Sequence, residues 1–120
     1  MKKLLTLLAL TISFIMNAQV AETSTNPSGT NASAIGNGTT ASGTASTAMG
    51  LSSTSSGYAS TSMGQGTTAS GNYSIATGWM STASGHYSMA AGRRVTASDF
   101  ASTVIGQYNS SGSSVTNSAS

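Results

Sequence analysis

Charge and cysteine are almost missing from this chain of 120 residues: four Lys and Arg, two Asp and Glu, one His and no Cys. Without cysteine there is no disulfide framework to compensate for a small core. Catalytic and metal-ligating side chains are equally scarce, since His86, Asp99 and Glu22 are each the sole residue of their type. Ser98, His86 and Asp99 could be assembled into a triad on paper, but a triad needs a concave pocket and an oxyanion site, and the pattern suggests neither. Asp99 reads instead as a turn residue tolerant of left-handed backbone, and His86 as an exposed turn residue. Calcium-binding solenoids carry a regular Asp in each turn, and none recurs here. The expectation is therefore a non-enzymatic chain with no cofactor and no metal.

The only long apolar run is at the start. Met1-Lys2-Lys3 is a positive opening, Leu4 through Met16 is apolar, and Asn17-Ala18-Gln19 is a polar exit. That is the layout of a secretory signal peptide over residues 1–18, too short and wrongly flanked to span a membrane. Ala18 is the preferred cleavage point, with Ala21 as the alternative, and residues 19–23 form a lead-in. The chain is thus expected outside the cytoplasm. Beyond the leader, Arg93 and Arg94 face Glu22 and Asp99, a formal charge of 2 − 2 = 0. One Arg pair is no basic footprint, which argues against nucleic acid.

What the chain has is glycine on a fixed spacing. Gly36, Gly50, Gly64, Gly78, Gly92 and Gly106 form one series of period fourteen. Gly29, Gly43, Gly57, Gly71 and Gly85 form a second, offset by seven residues and broken at Asp99. Such self-similarity means a stacked repeat. Units such as YASTSMGQGTTASG (Tyr58–Gly71) and FASTVIGQYN (Phe100–Asn109) hold two short segments of alternating pattern between the glycines. A helix would lose about 1 kcal/mol at each glycine. Short strands joined by glycine turns fit better, with the glycines supplying positive φ. The fold expected is all-β: a β-solenoid of about six coils, each hydrogen-bonded to the next.

Alternation then assigns directions. Numbering each unit from Thr30, positions three and five are small (Ser46/Ala48, Ser60/Ser62, Ser74/Ala76, Ser88/Ala90) and point inward, as does position twelve (Ala41, Ser55, Ala69, Ala83, Ala97). Positions four and six face outward and carry Ile35, Met49, Met63, Ile75, Met89 and Ile105, the large residue moving between the two positions as its partner shrinks. A coil lined with Ala, Ser and Gly has no room for this stripe, so it is expected to be covered by other copies of the chain. Thr40, Thr54, Thr68, Thr82 and Thr96 with Ser42, Ser56, Ser70, Ser84 and Ser98 form a flat hydroxyl wall. It reads as a hydrated outer face, or as an array that binds a repetitive surface such as ice or polysaccharide.

The turns concentrate the aromatic residues. Tyr58, Tyr73, Tyr87 and Phe100 should form a ladder along one edge, and Arg93 should lie over Trp79 at the other, a cation–π pair worth about 0.5–1 kcal/mol. These six residues are the candidate adhesive surface, toward sugars or a host protein; the ladder could equally brace adjacent chains.

The tandem units from Ser24 to Asn109 resemble the YadA-like head domains of trimeric autotransporter adhesins, with their small-x-small-x-Gly strands. The resemblance implies a left-handed parallel β-roll packed as a homotrimer, with Ile35, Met49, Met63, Ile75, Met89 and Ile105 facing the trimer axis. It also implies a secreted or bacterial cell-surface adhesive or spacer role, with host or environmental glycans or matrix proteins as partners. The family's coiled-coil stalk and membrane barrel have no counterpart here. Similar repeats occur in fibre-like proteins of bacteria and phages, and an ice-binding β-solenoid is the rival reading. Residues 24–109 are read as the head and 110–120 as a low-complexity tail.

Overall fold

The computed structural model describes residues 2–3 and 25–111. The expected signal peptide (apart from Lys2 and Lys3), the 19–23 lead-in and residues 112–120 of the expected tail lie outside the described residues.

Twelve strands alternate long and short. The long ones are β2 (Ser33–Asn37), β4 (Thr47–Leu51), β6 (Thr61–Gln65), β8 (Ile75–Trp79), β10 (Met89–Arg93) and β12 (Thr103–Gln107). The short ones are β1 (Asn26–Pro27), β3 (Thr40–Ala41), β5 (Thr54–Ser55), β7 (Thr68–Ala69), β9 (Thr82–Ala83) and β11 (Thr96–Ala97). Each set forms one parallel six-stranded sheet in chain order. Residues fourteen apart are always paired, as in Met49↔Met63 and Thr54↔Thr68. The ladder continues past the expected limit at Asn109, through a Thr96↔Ser110 bridge. The molecule is a parallel β-solenoid, and its sequence period is its hydrogen-bond register.

The core is a thin seam of small side chains. Ala48, Ser62, Ala76 and Ala90 from the long strands face Ala41, Ser55, Ala69, Ala83 and Ala97 from the short ones, all fully buried. A fourth inward column, beside positions three, five and twelve, was not anticipated: Thr39, Ser53, Thr67, Ser81 and Val95, at position ten, are equally buried. The alternation that turned position twelve inward implied position ten as well. Several hydroxyls in this seam bond across coils. Thr67 Oγ1 donates to Ser53 Oγ (2.9 Å), which donates to the Gly64 carbonyl (3.0 Å). Thr39 Oγ1, Ser46 Oγ, Ser62 Oγ and Ser88 Oγ lack partners.

Each glycine series fills only half of the role expected of it. Gly36, Gly50, Gly64, Gly78, Gly92 and Gly106 lie inside the long strands, one residue before the end, and not in turns. They do have positive φ, +125° at Gly64, and a Cβ there would also overlap the Gly78 carbonyl oxygen. Gly43, Gly57, Gly71 and Gly85 do open turns, yet with ordinary φ. Close approach is what requires glycine there, because a Cβ on Gly57 would overlap the Gly71 carbonyl oxygen.

The left-handed turn residues come two positions after each glycine. At one corner they are Asn31, Ala45, Ala59, Tyr73, Tyr87 and Ala101, with φ between 49° and 61°. At the other they are Gly38, Ser52, Gly66, Met80, Arg94 and Tyr108. Such backbone is costly for L-residues. What holds it is the coil before: Ala59 N–H donates to the Thr44 carbonyl and Arg94 N–H to the Trp79 carbonyl, both at 2.8 Å. At the last described coil a side chain completes the short-strand ladder. Ser111 Oγ accepts from Ser98 N–H (2.7 Å) and Asp99 N–H (3.2 Å), where lower coils use a backbone carbonyl.

Candidate functional site

Each coil is flattened between the long and short sheets, giving two broad faces and two corners. The long-sheet face bears the stripe. Ile35, Met49 and Met63 run in register with Thr77, Ala91 and Ile105, while Ile75 and Met89 stand in the adjacent column. Met63, Ile75 and Met89 are each 37% exposed and Ile105 64%, so all six expected stripe residues lie outside the core. No larger inward position exists to receive them, since Val95 is the bulkiest fully buried side chain among the described residues.

The opposite face is the hydroxyl wall. Thr40, Thr54, Thr68, Thr82 and Thr96 are paired in register along the short sheet, half-buried, and Ser42, Ser56, Ser70, Ser84 and Ser98 beside them are exposed. The strand spacing puts these rungs about 4.8 Å apart.

The first corner follows the short strands and carries the aromatic ladder. Tyr58 and Tyr73 meet edge to face (5.4 Å), Tyr73 and Tyr87 stack (5.0 Å), and Tyr87 and Phe100 meet edge to face (5.5 Å). Polar groups thread the same corner: Tyr58 N–H donates to Asn72 Oδ1 (3.0 Å) and Asn72 N–H to His86 Nδ1 (3.1 Å). His86 is exposed and serves this backbone ladder, while the Asp99 carbonyl accepts from Ser102 Oγ (2.8 Å).

The second corner ends the long strands, where Leu51, Gln65, Trp79 and Arg93 succeed one another in register. Arg93 lies over Trp79 with its guanidinium carbon 4.9 Å from the ring centroid, as the spacing requires. Two further members lie outside the six expected surface residues. Arg94 also stands over Trp79 (5.0 Å), and Tyr108 takes Arg93 both as a cation over its ring (5.2 Å) and as a donor to its hydroxyl (2.6 Å). Tyr108 was legible only by its spacing, fourteen residues after Arg94, and the repeat looks spent after Gly106. Among the described residues no carboxylate pairs with either guanidinium, no group of three His, Cys, Asp or Glu is gathered for a metal, and no helix is long and apolar enough to cross a membrane.

Comparison with known families gives one match, to the YadA head domain repeat (2 copies), over residues 28–53, 55–81 and 74–94. These segments span more than half of the 120 residues. No curated protein and no solved structure matches the chain.

Proposed function

We infer, from a chain that belongs to the YadA head domain repeat family, a non-enzymatic trimeric adhesin-type head, secreted or displayed on a bacterial surface as an adhesive or spacer module. The observation that carries this reading is the Ile/Met stripe. A solenoid whose core is Ala, Ser, Thr and one Val leaves a run of Ile and Met side chains on its long-sheet face. A continuous apolar face of this kind marks an interaction surface. Three copies around an axis parallel to the stack would cover the stripe in every coil and leave the hydroxyl wall facing solvent. That wall, repeated on three sides, is then the surface offered to glycans or matrix proteins.

The test is the mass of the purified full chain by light scattering, with three chain masses expected. Replacing Met49 and Met63 by Asp should abolish the assembly and unfold the chain, since each buried Met contributes about 1.5–3 kcal/mol and an unpaired buried carboxylate opposes folding. A folded, monodisperse wild-type monomer overturns the reading.

A further inference from the structure

We propose that the two corners of each coil are the two sides of one seam between copies of this chain. The aromatic ladder of one copy packs on the Leu51, Trp79, Met80 and Arg94 column of the next, and Asp99 meets the neighbouring Arg94 guanidinium. This rests on the trimer proposed above, and it decides between the two uses open to the ladder.

The argument begins with symmetry. A rotation axis parallel to the stack leaves every coil at its own height in each copy, and a cyclic trimer is head-to-tail, bringing unlike edges together. With the stripe toward the axis, the two lateral edges of each long sheet are the two corners. The second corner of one copy therefore abuts the first corner of the next, coil against coil.

The chemistry of the corners fits that juxtaposition. Tyr58, Tyr73, Tyr87 and Phe100 are 48–73% exposed, and Leu51 and Met80 at the other corner are 43% and 48% exposed. Both are apolar columns too large to leave in water without purpose. Charge fixes the register. Within residues 25–111 the only charged side chains are Arg93, Arg94 and Asp99, and all three fall in the coil that spans 86–99. The Arg pair is at one corner and Asp99 at the other, and among the described residues Asp99 is paired with neither guanidinium. Arg93 is already held by Tyr108, whereas among the described residues Arg94 has only the Trp79 face. Asp99 also stands where a glycine column of five members breaks, in the one coil that carries the arginines. A carboxylate placed there faces a guanidinium only across a subunit boundary.

A chain without cysteine permits a clean test in the full-length protein. Arg94→Cys and Asp99→Cys in the same chain cannot bridge internally, because five residues of extended strand separate them by about 15 Å, beyond the roughly 7 Å limit for a disulfide. Under mild oxidation the double variant should form a covalent trimer on a non-reducing gel, while each single variant should not. In parallel, Asp99→Arg should raise the concentration at which the trimer dissociates about tenfold or more, and adding Arg94→Asp should restore most of the loss. A species of three chain masses that neither cross-links nor responds to Asp99→Arg overturns the seam and leaves the trimer standing. A monomer overturns both.

Discussion

Tyr73 and Tyr87 lie face to face, ring centroids 5.0 Å apart and planes 8° from parallel, although both residues hold left-handed backbone with φ of 57° and 61°. Their N–H groups donate to the carbonyls of Tyr58 (2.7 Å) and Asn72 (2.8 Å) in the coil before. A conformation that an isolated tyrosine avoids is thus imposed by the ladder, and the stacked rings offset part of its cost. The turn is a property of the stack more than of the residues in it.

Strain at these positions should be measurable. Gly66, with φ of 64° and a Cβ position that would make only ordinary van der Waals contact with Met80 Cγ (3.5 Å), occupies the same column as Ser52 and Met80. Gly66→Ala should destabilise by about 1 kcal/mol, and Ala45→Gly, at φ of 57°, should stabilise by a similar amount. Denaturant midpoints of the two variants should move in opposite directions, and a shift of the same sign in both would discard the account.

The two glycine series should respond to different substitutions. Gly57→Ala, where φ is ordinary, should still cost more than 1 kcal/mol, because the new methyl meets the backbone of Gly71. Gly64→Val combines that overlap with a β-branched side chain at positive φ and should cost more. Thermal melting that leaves Gly57→Ala at the parent value would show that the coils can part to admit a side chain.

Ser62 is fully buried in register with Ala48 and Ala76, and its hydroxyl has no partner. Ser62→Ala should therefore stabilise by about 1 kcal/mol, removing an unpaired polar group at nearly constant shape. Ser53→Ala is the contrast: it strands the Thr67 hydroxyl and frees the Gly64 carbonyl, so it should destabilise. Urea unfolding of the pair tests whether hydrogen bonding or volume governs the seam.

The outer wall separates adhesion from ice binding. Replacing Thr54, Thr68 and Thr82 by Lys should leave the proposed trimer intact, since their side chains point away from the core. Binding to glycans or matrix proteins through the wall should fall. Thermal hysteresis in the wild type, lost in this variant, would instead favour the solenoid antifreeze.

Much of this was readable from the residues. Ser60, Ser62, Ala76 and Ala90 turn inward and Met63 and Met89 outward because strand alternation is a local rule, and the Arg93–Trp79 contact follows from the period alone. The left-handed corners were not readable. Their residues include Ala59, Tyr87, Met80 and Arg94, which propensity excludes from such backbone, and only hydrogen bonds from the neighbouring coil put them there. The glycines were only half readable for the same reason: a seven-residue spacing advertises turns, which fits Gly57 but not Gly64, and both are required by carbonyl oxygens a full coil away.

Those carbonyl contacts reach one coil and no further, and so do the backbone hydrogen bonds. Removing fourteen residues, for instance 58–71, would rejoin Gly57 to Asn72 with every ladder bond re-formed by an equivalent partner. Length is therefore a free variable in this architecture, adjustable in steps of about 4.8 Å, with stability changing by a nearly constant increment per coil. Such a molecule behaves as a ruler: selection could set how far its tip stands from whatever bears it without redesigning a single contact.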